Sequence, residues 1–257
     1  MEILKINSPE EYNKIWHRDR TYLTAAHLKY IAIFTMLLSH LAQTNFLFNF
    51  GERYWILSDI FVFIGRIAMP IFCFFTVQAV IYTKNHKKYF LRMLIFALIS
   101  EIPFDLALYD QPLVFYSQNV IFTLLIAGLT IFLIHKILEV YDNIFVNIIG
   151  IFLLTIYGML LALVLRSDYS YNGVLAIVLL YLSRNNKIMT AIALAIGFLF
   201  EFEVWGSVIS VTYGFVYLAI PLIMLYNGKK GNQNKLAFYI FYPAHLFIIY
   251  LLKLLIL

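Results

Sequence analysis

Lys29 and His40 are separated by ten residues in the first apolar run of the chain, and Arg66, Glu101, Asp105 and His245 stand inside later apolar runs. Ionisable groups in such surroundings are costly and usually face a partner or a cavity. Their types suggest chemistry. An imidazole titrates near neutral pH and can take the proton of an attacking amine or hydroxyl. A guanidinium can bind an acid or stabilise a developing oxyanion. A carboxylate can orient either one. Asp105 follows Glu101 by four positions, so the two carboxylates share a helix face, and Pro103 between them loosens the local hydrogen-bond ladder. The same groups also suit a proton or ion path. Each has a plainer reading too: a histidine can join two helices, and Arg66 with Glu101 can form a structural ion pair. Spacing alone does not choose between acyl transfer, transport and structure.

These residues must be held by elements that live in lipid. Of the 257 residues, 63% are hydrophobic and 13% charged, against about 45–50% and about 25% in soluble domains. Runs long enough to span a bilayer, or nearly so, lie at 28–48, 57–82, 89–108, 119–138, 144–165, 171–183, 187–203, 207–226 and 235–257. They are too long and too continuous for barrel strands. The expected architecture is therefore an all-α polytopic bundle of about nine transmembrane helices. Residues 1–26 form a polar cytoplasmic or interfacial segment with no signal peptide, and residues 27–257 form one transmembrane domain. Trp16, His17, Arg18 and Arg20 suit the headgroup layer. With the N-terminus in the cytoplasm, thirteen Lys and Arg, Lys84, Lys87, Lys88, Lys229 and Lys230 among them, fall on the inner side. Only Arg53 and Arg166 fall on the outer side, as the positive-inside rule requires. At ~1.5 Å per residue from these span starts, His40 is about 18 Å deep, Arg66 about 14 Å, Glu101 about 18 Å and His245 about 15 Å. In a core about 30 Å thick all four are expected near the midplane, in a shared polar cavity. Glu201 is expected at an interface, and Lys253 to snorkel outward. The single cysteine, Cys73, excludes a disulfide within the chain. The net charge of +5 comes with no nucleic-acid motif, and no metal-binding motif is present.

The Lys29–His40 spacing resembles the basic-X10-His signature of acyltransferase-3-type membrane acyltransferases. The blocks GRIAMPIF (65–72), RMLIFALISEIPFDLAL (92–108), QNVIFTL (118–124), DYSYNGVL (168–175), LYNGKKG (225–231) and FYIFYPAHLFIIY (238–250) resemble, in order and spacing, the TraX family. The best-known member of that family acetylates the N-terminus of a conjugative pilin. The resemblance runs from about residue 28 to the C-terminus. It implies a multi-pass protein of the bacterial cytoplasmic membrane that moves acetyl from cytoplasmic acetyl-coenzyme A to a peptide, pilin-like or glycan acceptor. It implies catalytic roles for His40 as base, with Arg66 and Glu101. Lys29, Lys87, Lys88 and Arg92 are expected to hold the donor's phosphates. Asp105, Gln118, Asn119, Tyr242 and His245 are expected to line the acceptor site. Where the family usually has Asp-His, this chain has Ser39-His40, and serine cannot supply the charge of an adjacent carboxylate. A transporter and a non-catalytic assembly factor that binds a membrane peptide are the alternative classes.

Overall fold

The computed structural model describes residues 14–16, 22–199 and 211–256. Ten α-helices follow in chain order: α1 (Ala25–Gln43), α2 (Trp55–Gly65), α3 (Ala68–Tyr82), α4 (His86–Tyr109), α5 (Val120–Val140), α6 (Ile144–Val164), α7 (Ser170–Ser183), α8 (Lys187–Gly197), α9 (Ala219–Met224) and α10 (Lys235–Ile256). Short 3₁₀ segments lie at Phe46–Phe50, Glu52–Tyr54 and Val211–Leu218. Glu201, His17, Arg18 and Arg20 lie outside the described residues.

Many of the helix starts are written in the sequence as asparagine. Asn85, Asn119, Asn143, Asn186 and Asn234 each accept a backbone N–H from the first turn of α4, α5, α6, α8 and α10. Such caps satisfy donors that have no partner within the helix, a need made acute in lipid. The start of α1 is capped by Thr24, in a reciprocal box with His27. The backbone N–H groups of Ala25 and Ala26 donate to the carbonyls of Lys229 and Lys230, at 2.9 and 3.0 Å. Gly231, at φ +69°, packs so closely on Thr24 that a Cβ there would collide with it. The LYNGKKG stretch is thus a strap across the beginning of α1.

Among the described residues, five stretches are long and apolar enough to cross a membrane: Ala25–Gln43, Glu52–Tyr82, Val120–Val140, Ile144–Val164 and Leu236–Ile256. α4 has 24 residues but carries Arg92, Glu101 and Asp105. α7, α8 and the 214–224 stretch are shorter apolar helices. At the centre, α3 is buried on almost every face, against α1, α5 and α7. In α6 only Asn147, Gly158 and Ala162 are fully buried, Ile151, Leu154, Met159 and Leu161 pack partly against the core, and most of the remaining apolar surface faces outward, as lipid contact requires.

Four expectations change. The 57–82 span is interrupted after Gly65. Pro70 has no N–H to give the Arg66 carbonyl, and Arg66 and Ile67 bond instead to Phe63 and Ile64, three residues back. The first helix ends at Gln43, not near residue 48, so His40 sits in its last turn and not midway. Trp16 faces the protein interior and not headgroups. It is 1% exposed and packs against Phe74 and Tyr226, with the Lys187 ammonium over its ring. The Lys253 ammonium turns to the end of α4, donating to Asp110 at 2.8 Å and to the Ala107 carbonyl at 3.3 Å.

Candidate functional site

A cavity of about 240 Å³ lies at the end of the bundle where α1 finishes. Its wall includes Gln43, the last residue of α1, Val120, the first of α5, and Asp168 and Tyr169 of the loop before α7. His40 and Arg66 line it as well. His40 comes from the last turn of α1, and Arg66 from the break between α2 and α3. The break can touch α1 because residue 65 is glycine: a Cβ there would run into the Ser39 side chain. Ser39 accepts a hydrogen bond from the Gln43 amide at 2.8 Å.

His40 is buried and paired with a second histidine. Its Nδ1 lies 2.7 Å from Nε2 of His245 on α10, and the rings stack with centroids 5.0 Å apart. His245 Nδ1 in turn lies 2.7 Å from the Phe241 carbonyl oxygen. Tyr242 stands edge-on to both imidazoles, at 6.1 and 5.7 Å between centroids. His245 and Tyr242, expected at the acceptor site, therefore surround His40, and neither is part of the cavity wall.

The carboxylate facing Arg66 across the cavity is Asp168, not Glu101. Burial pushes the Asp168 carboxyl up to about 6, while the charge of Arg66 and the Tyr169 N–H act in the opposite sense. The loop is tied down by a short parallel bridge: Gln118 N–H donates to Arg166 O at 3.0 Å, and Asp168 N–H to Gln118 O at 2.8 Å. Thr123 adds hydroxyl bonds to Ser167 and to the Asp168 carbonyl.

Glu101 does not join the cavity wall. Its Oε2 accepts from the backbone and side-chain amides of Asn119, while Asn119 also donates to Ala97 O at 2.9 Å and caps α5. Asp105, fully buried, accepts the Val114 N–H at 2.7 Å. The Gln118 amide bonds to Val114 O. Three residues expected to perform chemistry or bind an acceptor, Glu101, Asp105 and Asn119, thus bind the 114–119 connection to α4, and a fourth, Gln118, closes that connection on itself. The i, i+4 spacing of the two carboxylates serves one task, holding backbone donors that would otherwise be unsatisfied in lipid.

The basic residues gather at the opposite end. Lys29 donates to Gln233 at 3.1 Å and lies over the rings of Phe75 and Phe238. Arg92 lies over Tyr239, the next residue of α10. Lys87 and Lys88 are exposed on the first turn of α4. Among the described residues no group of His, Cys, Asp and Glu has the arrangement to hold a metal ion.

Sequence reasoning missed the His40–His245 pairing, although the two residues had been set at similar depths. It gave Asp168 no place opposite Arg66, because nothing local signals the Gln118 bridge that brings it there.

The family model described as "TraX protein" matches residues 24–253. Over 242 residues the chain is 32% identical to a protein of Dichelobacter nodosus described as "Probable fimbrial assembly protein FimC, serogroup H1"; the alignment covers 87% of this chain and 93% of that protein. No solved structure matches.

Proposed function

From its place in the TraX family, to which this chain belongs, we propose that it is a membrane acetyltransferase acting on a pilin-like or other envelope acceptor. The observation that carries this reading is the single cavity wall shared by His40 and Arg66, with Asp168 opposite. In this reading the N-terminus is cytoplasmic and the chain crosses the cytoplasmic membrane nine times. The Lys29 end then faces the cytoplasm and the His40 end faces outward.

His40 takes the proton of the acceptor's amine or hydroxyl as that group attacks the thioester carbonyl. Arg66 stabilises the negative charge that develops on the carbonyl oxygen. As the new C–N or C–O bond forms the C–S bond breaks, and His40 returns the proton to the departing sulfur. Asp168 holds the Arg66 guanidinium toward the cavity. Lys29, Lys87, Lys88 and Arg92 would hold the phosphates of acetyl-coenzyme A. Lys29 and Arg92 suit this best, because both flank the first turns of α10, at Phe238 and Tyr239. Along α1 the distance from Lys29 to His40 is about 16 Å at ~1.5 Å per residue.

The test is transfer of radiolabel from acetyl-coenzyme A by purified protein in detergent, with a synthetic pilin N-terminal peptide as acceptor. His40→Ala is expected to lose about 10²–10⁴-fold in rate, the usual contribution of a general base. Equal turnover by the two proteins would remove the assignment. One observation favours a transporter: an ionisable residue at a break between two half-helices is also how ion and substrate sites are built in carriers. That reading requires pH-driven flux in liposomes that needs no coenzyme A and is lost in Arg66→Gln. A purely assembling role, which the relative's name admits, requires peptide capture with no acetyl transfer.

A further inference from the structure

The two histidines form an ordered chain. A carbonyl oxygen has no proton to give, so the 2.7 Å bond to Phe241 O makes His245 Nδ1 the donor. Neutral His245 then has only a lone pair on Nε2. The 2.7 Å approach of His40 Nδ1 therefore makes His40 the donor of the second bond. What remains on His40 is the lone pair of Nε2, on a ring that lines the cavity.

We infer that His245 is the positioning residue of the cavity's base: it selects the Nδ1–H tautomer of His40 and holds the ring with Nε2 available to the reacting groups. The geometry stands by itself, and its catalytic consequence rests on the acyl-transfer reading. The task is the one a buried carboxylate performs behind the histidine of a hydrolase triad, here given to a neutral imidazole. A neutral partner fixes orientation without placing another charge in lipid. It also bears on the serine before His40. Ser39 is occupied by Gln43, and the partner of the imidazole comes from α10, about 200 residues later. Phe241 stacks on His245 at 4.7 Å and 12°, and Tyr242 stands against both rings, so the pair has little freedom to turn away.

The experiment has a spectroscopic and a kinetic arm. In ¹⁵N-histidine-labelled protein at neutral pH, wild-type His40 is expected to carry its proton on Nδ1 and none on Nε2. His245→Leu is expected to abolish that preference. His245→Gln, whose amide oxygen can still accept, is expected to restore it. In acetyl transfer, His245→Leu is expected to lower kcat roughly 10–100-fold, the scale typical of orienting groups, with both KM values unchanged. His245→Gln is expected to recover part of the loss. A wild-type His40 protonated on Nε2 overturns the inference, as does a His40 tautomer preserved in His245→Leu. If no protein transfers acetyl, the acyl-transfer reading fails alone, because the spectra still decide the tautomer.

Discussion

In the proposed reaction His40, Arg66 and Asp168 divide a task that no one of them performs alone. In that reading the imidazole is the neutral base paired with His245, the guanidinium is a fixed cation, and Asp168 is the anion placed to offset it. Asp168 has a cost that can be measured. Its carboxyl titrates at about 6 in the folded protein, above the ordinary 3.8, so the folded state holds the proton more tightly than the unfolded state. The residue therefore lowers stability above pH 6, and the deficit disappears as the pH falls from 6 to about 4. Asp168→Asn is accordingly expected to raise the thermal unfolding midpoint at about pH 8 and to leave it unchanged at about pH 4. Acetyl transfer should fall at about pH 8, because the charge facing Arg66 has gone, and should not fall at about pH 4, where Asp168 is already protonated. A midpoint lowered at about pH 8 would mean that the attraction to Arg66 outweighs the desolvation of the carboxylate.

The element that decides the site is the interruption between α2 and α3. Pro70 removes a donor and Gly65 removes a side chain, and together they let the chain turn at Arg66 while α1 packs against it. Gly65→Ala places a methyl group on Ser39 and is expected to cost about 1–3 kcal/mol, the usual penalty for overpacking. It should also separate the two walls of the cavity, so thermal unfolding and transfer should both decline. A fully stable and active Gly65→Ala would show that the contact is loose. The connection from α4 to α5 makes a similar point. Asn119→Ala removes the cap of α5, at about 1 kcal/mol, and leaves the buried Glu101 short of donors, at a further ~1–3 kcal/mol. Glu101→Gln, which cannot accept as a carboxylate does but keeps the shape, should be milder in unfolding assays than Asn119→Ala. A Glu101→Gln that keeps its stability but loses acetyl transfer would argue that Glu101 acts in the reaction and not as a scaffold.

At the scale of the molecule, Lys29, Lys87, Lys88 and Arg92 and the cavity occupy opposite ends, so orientation in the membrane determines which compartment each faces. Cys73 is buried and is the only cysteine, which makes labelling clean. In a Cys73→Ser background, Gln111→Cys is expected to react with an impermeant maleimide on intact cells. Lys87→Cys is expected to react only after permeabilisation. The opposite pattern would invert the bundle and place the cavity on the cytoplasmic side.

The sequence by itself determined the helices and their solvent. Long apolar runs, asparagine caps and the low content of charge are local properties, and a bilayer allows few backbone solutions for them. It also singled out His40, Arg66 and His245, because an ionisable group is conspicuous in an apolar run. Which of these meet was decided only in three dimensions. In the sequence Glu101 is the partner expected for Arg66, and nothing local pairs Arg66 with Asp168. The parallel bridge from Gln118 to the 166–168 loop brings Asp168 to the cavity, and the Asn119 cap draws Glu101 away from it. The two histidines, about 200 positions apart, come within 2.7 Å because α10 returns to pack beside α1 and α4. Helix periodicity records which face of a helix a residue occupies, and the choice of the facing helix belongs to packing.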